Sequence, residues 1–411
     1  MNPASPMPET FSRTFYVALL ATLLFAMGLT LVIPIVPLYI TEELDAGDHW
    51  IGTATMFVAL TAVVTRIPSG ALSDRQGRRR LMLIGAGLGL GSALLYIFSV
   101  ALPIFLAARV LTGLAIGLFT TASKALSADL APASRRGEAM GLNNAAFTLS
   151  QVASPVMSEG LKNEISFQAV FVASALLMLV ALAITWVLPS TRPDRTGSQG
   201  ASRDVKTTLR ERGIWASILS MFGLGAVLAL IFTFYPLLAE RKDLFHDAPG
   251  LFSSVAMGIG LSIWALTDTL IEPVAGRISD RIGRAPVMLP GMLICAIGVV
   301  LLSHATNTLA TYAAIAILAG GWGIARAVAD AIAQDAVAPV LRGIGAAAIY
   351  TAFDLAVGVD AQLLSSLIDG SDFTNFFYAV LVLLLSFGLS GLALSRRLIT
   401  FDQRAAAATG D

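Results

Sequence analysis

A helix that crosses a bilayer needs roughly 20 consecutive, mostly apolar residues, and this chain supplies that length many times. Apolar runs lie at 15–40, 50–72, 81–100, 103–126, 138–161 and 167–188. They resume at 214–239, 251–274, 287–303, 309–330, 343–367 and 373–394. The first run is too long for a signal-peptide core and lacks a small-residue cleavage site, so it reads as a retained helix. Between the two sets, 190–213 is rich in Arg, Ser, Asp and Gly and has no apolar period, which makes it a polar linker. The expected product is an all-α membrane protein of twelve transmembrane helices. Six lie within 1–189 and six within 214–411, the latter ending in a short tail.

Composition excludes other classes. Of 411 residues 56% are hydrophobic and 13% charged, about half the charged share of a soluble protein. Acidic and basic residues balance at 27 each, so there is no basic face for nucleic acid. Cys295 is the one cysteine, so an internal disulfide and a thiolate metal cluster are both excluded. His49, His246 and His304 are scattered without metal-ligand spacing. Gly85, Gly87, Gly89 and Gly91 imitate a dinucleotide fingerprint but follow no strand, so they read as helix-packing positions. No phosphate-binding loop is present to support ATP drive.

The basic residues give an orientation. With the N-terminus inside, 20 of the 27 Lys and Arg fall on inner segments, 3 on outer ones (Lys162, Arg241, Lys242) and 4 within spans. That bias places both termini in the cytoplasm and the protein in the cell inner (plasma) membrane. Arg outnumbers Lys 23 to 4, a usage that points to a GC-rich bacterial genome.

The halves are repeats. A shift of 206 residues carries Gly70, Ser73, Asp74, Arg75, Gly77 and Arg78 onto Gly276, Ser279, Asp280, Arg281, Gly283 and Arg284. The same shift carries Asp129, Arg136 and Gly137 onto Asp335, Arg342 and Gly343. Duplicated six-helix halves mark a transporter with its site between them.

The loop that begins at Gly70 and runs through Asp74, Gly77 and Arg78 resembles the signature between helices 2 and 3 of the major facilitator superfamily. The stretch from Gly276 to Arg284 resembles its echo between helices 8 and 9. The resemblance implies the major facilitator fold, two pseudo-symmetric six-helix bundles, and covers nearly the whole chain. Ile33, Pro34, Pro37 and Tyr39 in the first span, with Arg109 in the fourth, are most similar to the drug and small-molecule efflux branch. The resemblance implies that Asp74 meets the N-terminus of the eleventh helix near Gly343, where the helix dipole favours negative charge. Asp280 would do the same at the fifth helix near Gly137, and the two contacts would latch the inner side shut. Gly70 and Gly77 read as positions of close approach and tight turning.

Ionisable residues inside spans are costly and therefore functional candidates. Asp354 lies about midway along its run, with Tyr350 four residues earlier on the same face. Asp360, six residues on, points elsewhere. Asp268 and Glu272 share a face and would repel, so one should be protonated or paired with a base. Arg326 and Asp330 are also four apart and could satisfy each other. Asp354 reads as a proton carrier, with substrate contact and a structural hydrogen bond as the other readings. Arg109 resembles the embedded arginine that efflux members use in proton coupling.

One region departs from the family. Gly141 and Pro155 keep the spacing of the glycine-rich fifth helix, but Ser150, Ser154, Ser158 and Glu159 stand where glycines are expected. This weakens the case for antiport. The leading reading is proton-coupled efflux of a small molecule by a monomer in the lipid bilayer, with no cofactor and the proton gradient as the drive. The competing readings are a symporter of the same fold, a membrane sensor, against which the longest polar segment is only 189–213, and an intramembrane enzyme, against which no helix carries a histidine motif or a metal-ligand cluster.

Overall fold

Where no water reaches the backbone, each peptide group must be satisfied within its own helix. The computed structural model accordingly contains helices and no strand among its described residues, which are 10–132, 135–191, 211–250, 252–337, 342–368 and 372–408. The first half comprises α1 (Arg13–Glu43), α2 (His49–Gln76), α3 (Arg78–Ile97), α4 (Leu102–Leu130), α5 (Arg136–Glu164) and α6 (Phe167–Val187). The second comprises α7 (Arg212–Arg241), α8 (Ser253–Ile282), α9 (Arg284–Ser303), α10 (Thr308–Asp335), α11 (Arg342–Ser365) and α12 (Thr374–Ala408). Over the described residues, nine of these are long and apolar enough to cross a membrane. The other three, α2, α5 and α11, are 28, 29 and 24 residues long and carry polar residues such as Arg66, Asn143 and Asp354.

Local chemistry sets the ends and the irregularities. Ser12 caps α1 by accepting from the Phe15 amide at 3.2 Å, and Ser166 and Asn307 cap α6 and α10 in the same way. Pro34 and Pro37 lack the amide proton that continues a helix, and α1 tightens at Ile33–Ile35 and widens into a π turn at Tyr39–Glu43. The first helix of the second half repeats this, with a π turn at Ala229–Phe234 just before Pro236.

The helices gather into two compact units. One holds the described residues of Met1–Ile35 and Leu60–Thr196, the other those of Val36–Ala59 and Gly197–Asp411. In the first, Phe25 of α1 stacks on Phe119 of α4 with centroids 3.8 Å apart, and Leu81, Met82, Ala86, Met178 and Ala181 close around the pair. Gly85 makes this approach possible, because a methyl group there would stand 2.8 Å from the Phe119 amide nitrogen. In the second, Cys295 is fully buried on α9 with Gly321 of α10 against its backbone.

Only glycine fits the turns between α2 and α3 and between α8 and α9. Gly77 has φ 95° and ψ 145°, and Gly283 has φ 97° and ψ 161°. Gly70 differs from the expectation of close approach: it is helical, as is its counterpart Gly276, and a methyl group on either meets nothing within 4 Å among the described residues. Gly77→Ala or Gly283→Ala should therefore destabilise the protein by about 1–3 kcal/mol, the strain of that backbone region. Gly70→Ala or Gly276→Ala should be neutral or stabilise by up to about 1 kcal/mol. Thermal unfolding of the four variants in detergent checks this, and equal losses in both pairs would refute it.

Candidate functional site

The repeated motif builds a strap at the end of each bundle. The turn at Gly77 brings Arg78 back over the end of α2. Its Nη1 donates to Ser73 Oγ at 2.9 Å and its Nε to Asp129 Oδ2, at the end of α4, at 3.2 Å. The Arg78 amide donates to the Thr191 carbonyl at 3.2 Å, and Thr191 Oγ1 donates to the same Asp129 oxygen at 3.2 Å. Two hundred and six residues later, Arg284 Nη1 donates to Ser279 Oγ at 2.8 Å and to Asp280 Oδ1 at 2.5 Å, and Nε donates to Asp335 Oδ2 at 2.9 Å. The second arginine of each motif is thus the tie, while Arg75 and Arg281 are exposed. The Asp74 side chain and those near Gly343 lie outside the described residues. Asp280 is 64% exposed and meets Arg284. Asp129 and Asp335 were visible in the repeat register, but their pairing with Arg78 and Arg284, 51 residues away, is set by the packing.

Deeper in the second unit, Arg326 of α10 stands among three carboxyl groups. It pairs directly with Glu272 of α8, and its other contacts are Asp268 Oδ2 at 3.9 Å and Asp330 Oδ2 at 3.5 Å. The expected repulsion between Asp268 and Glu272 is relieved by a base from the neighbouring helix. Asp268 and Arg326 are both below one fifth exposed, so these groups meet in an enclosed place. Gly323 gives Asp268 its room, since a methyl group there would lie 2.8 Å from Asp268 Oδ1.

Aromatic rings adjoin this cluster. The Arg326 guanidinium lies over the Trp322 ring, 5.0 Å from its centroid, a cation–π contact. Trp322 meets Trp264 of α8 at 5.5 Å and Phe353 of α11 at 6.1 Å, and Trp264 meets Phe232, in the π turn of α7, at 6.3 Å. Trp322 Nε1 donates to the Leu224 carbonyl at 3.0 Å, which fixes its ring. Sequence reasoning missed this wall. The available signals were the four-residue spacing of Trp322 and Arg326 and the adjacency of Phe353 to Asp354. Asp354 and Tyr350 are half-buried on α11, and Asp360 is fully buried on the same helix.

In the first unit Arg109 is 8% exposed on α4, near a hydroxyl cluster in which Ser92 Oγ and Thr112 Oγ1 are 2.6 Å apart and Tyr96 Oη is 3.0 Å from Thr112. Ser150, Ser154 and Ser158 of α5 are fully buried, and Thr30 of α1 donates to Ser154 Oγ at 2.8 Å. The serines that replace glycines thus keep close packing and add a hydrogen bond. No group of three or more His, Cys, Asp or Glu side chains could hold a metal ion among the described residues.

The sequence pattern of the Major Facilitator Superfamily matches residues 18–359 and 245–405. The chain belongs to this superfamily. It is 28% identical to the class B tetracycline resistance protein of Escherichia coli over 75% of this chain and 77% of that one. It is 24% identical to the multidrug resistance protein MdtG of Proteus mirabilis over 69% and 71%. The crystal structure of a bacterial homologue of the human lysosomal transporter Spinster aligns with a TM-score of 0.80 at 13% identity, covering 94% and 97% of the two chains. That likeness establishes the superfamily fold and nothing finer.

Within this superfamily member, Arg326 is a test of how the acids are held. Removing one partner of an enclosed ion pair costs about 3–5 kcal/mol, because the other charge stays behind. Arg326→Gln should lower the unfolding midpoint sharply, and adding Glu272→Gln should recover part of the loss. Strictly additive effects in this double-mutant cycle would show that the pair is not coupled.

Proposed function

We propose that this protein is a secondary active exporter that moves a small molecule out of the cell in exchange for protons. The similarity over three quarters of the chain to a tetracycline resistance protein carries the reading. The enclosed acids around Arg326 offer groups that can exchange protons, and Phe232 and Phe353, the half-buried rings of the aromatic wall, offer flat faces to a ring-bearing substrate. The excess of acidic over basic residues within the spans favours a cationic or neutral substrate. On this reading the protein is a monomer in the bacterial inner membrane with both termini in the cytoplasm, and the two halves expose the site to either side in turn. The test uses everted membrane vesicles energised by respiration, with tetracycline and a cationic dye as probes. Proton-dependent accumulation of either supports export. Accumulation only in right-side-out vesicles would make the protein an importer.

Asp74 serves as a latch on this reading. Asp74→Asn should leave the protein inserted and folded but slow transport, by an amount set by a helix-end interaction of about 0.3–2 kcal/mol. Transport by this variant at the wild-type rate removes the latch. Asp354 serves as a proton carrier. Asp354→Asn mimics the protonated acid permanently, so it should abolish gradient-driven accumulation while probe binding persists. Undiminished accumulation would pass the role to another embedded acid.

A further inference from the structure

A carboxyl group is fully buried in the second unit at a place where the repeat has a serine. Asp360 of α11 is 1% exposed, and its Oδ2 meets no hydrogen-bond donor among the described residues. Its room comes from α7. A methyl group on Gly225 would stand 2.8 Å from Asp360 Oδ2 and 2.8 Å from Ala356 Cβ. The carboxyl group therefore lies against bare α7 backbone, just ahead of the π turn at Ala229–Phe234.

The 206-residue register places Ser154 of α5 at the equivalent position. Ser154 is also fully buried, and it too faces the first helix of its half. There Thr30 Oγ1 donates to Ser154 Oγ at 2.8 Å, and Ser154 Oγ donates to the Met27 carbonyl at 3.4 Å. The first half fills the site with a satisfied neutral pair. The second half fills it with a group that can carry charge.

Among the described residues no ion pair joins Asp360 to a side chain of the surrounding elements. The stretch 213–234 of α7 contains no ionisable side chain, and 374–394 of α12 contains only Tyr378. From α10 come Tyr312, Arg326, Asp330 and Asp335, of which Arg326 is held by Glu272, Asp268 and Asp330. The segment 36–59, whose Gly52 lies against Ala361, contributes Tyr39, Glu42, Glu43, Asp45, Asp48 and His49, with Asp48 paired to Arg241 at 2.7 Å. Arg342, Tyr350 and Asp354 share α11 itself. A carboxylate without a partner in apolar surroundings is costly, whereas the neutral acid is tolerated.

We propose that Asp360 is a proton-binding site whose occupancy sets how closely the C-terminal half of α11 packs on α7. With the proton bound, the neutral acid stays against Gly225. When the O–H bond breaks and the proton leaves to water, the carboxylate needs solvation, and α11 must part from α7 to admit it. The use of this proton in coupling rests on the export reading above, but the protonation itself does not.

The experiment takes the full-length protein in lipid nanodiscs and compares acidic with alkaline buffer. Infrared difference spectra read the carbonyl stretch of a protonated carboxyl group, and amide hydrogen exchange reads residues 217–228. The expected result is a protonated-carboxyl band that is lost in Asp360→Asn and in Asp360→Ser, the second variant copying the residue of the first half. The pH dependence of exchange along α7 should be lost with it. A difference spectrum unchanged in both variants overturns the proposal, as does loss of the band with wild-type pH dependence of exchange. Tetracycline accumulation by wild-type vesicles, measured separately, decides the export reading without affecting this outcome.

Discussion

An apolar span offers the backbone no hydrogen-bond partner except itself, and it offers a charge no solvent. The first condition makes the chain helical. The second dictates where the polar side chains go once the helices pack. Arg326 answers it with three acids and an aromatic face. Ser73, Asp129 and Arg78 answer it at a bundle end with a network that ties α2, α3 and α4 together. Charge is kept only where geometry supplies an answer, and such answers bring several helices to one point.

The two halves solve the same packing problem with the same parts, and their differences then become informative. The arginine straps share their contacts to the serine and to the distant acid atom for atom. The π turns of α1 and α7 agree in kind. The deep acids do not repeat: Arg326 and its three carboxyl groups belong to the second half, and the buried hydroxyl cluster around Thr112 belongs to the first. A duplicated scaffold keeps what holds it up and diverges in its chemistry, so the unrepeated polar groups are the ones that ask for a functional explanation.

Several of these features were legible in the residues before any coordinates. Apolar run lengths place the helices, because a span has a fixed thickness to cross. The turns at Gly77 and Gly283 were legible because only glycine takes that backbone shape. The partner of Glu272 was not legible, since Arg326 is 54 residues away and reaches it only once α8 and α10 pack. The aromatic wall was hidden for the same reason: Phe232, Trp264, Trp322 and Phe353 come from four helices. Gly70 shows the reverse error, since a glycine in a motif suggests a close neighbour and none lies within 4 Å among the described residues.

The sequence alone determined the helical class, the duplication, the superfamily and the set of embedded ionisable residues. These depend on local quantities: apolar run length, the conformational freedom of glycine, and identity at a fixed offset. The tertiary structure decided which of those residues meet. It gave Arg326 to Glu272, turned the second arginine of each motif into a strap, and left Asp360 against Gly225 without a hydrogen-bond donor to its Oδ2 among the described residues. Spacing along one helix fixes which side chains share a face. What that face meets is set by the packing of other helices, which depends on the summed contacts of residues far apart in the chain.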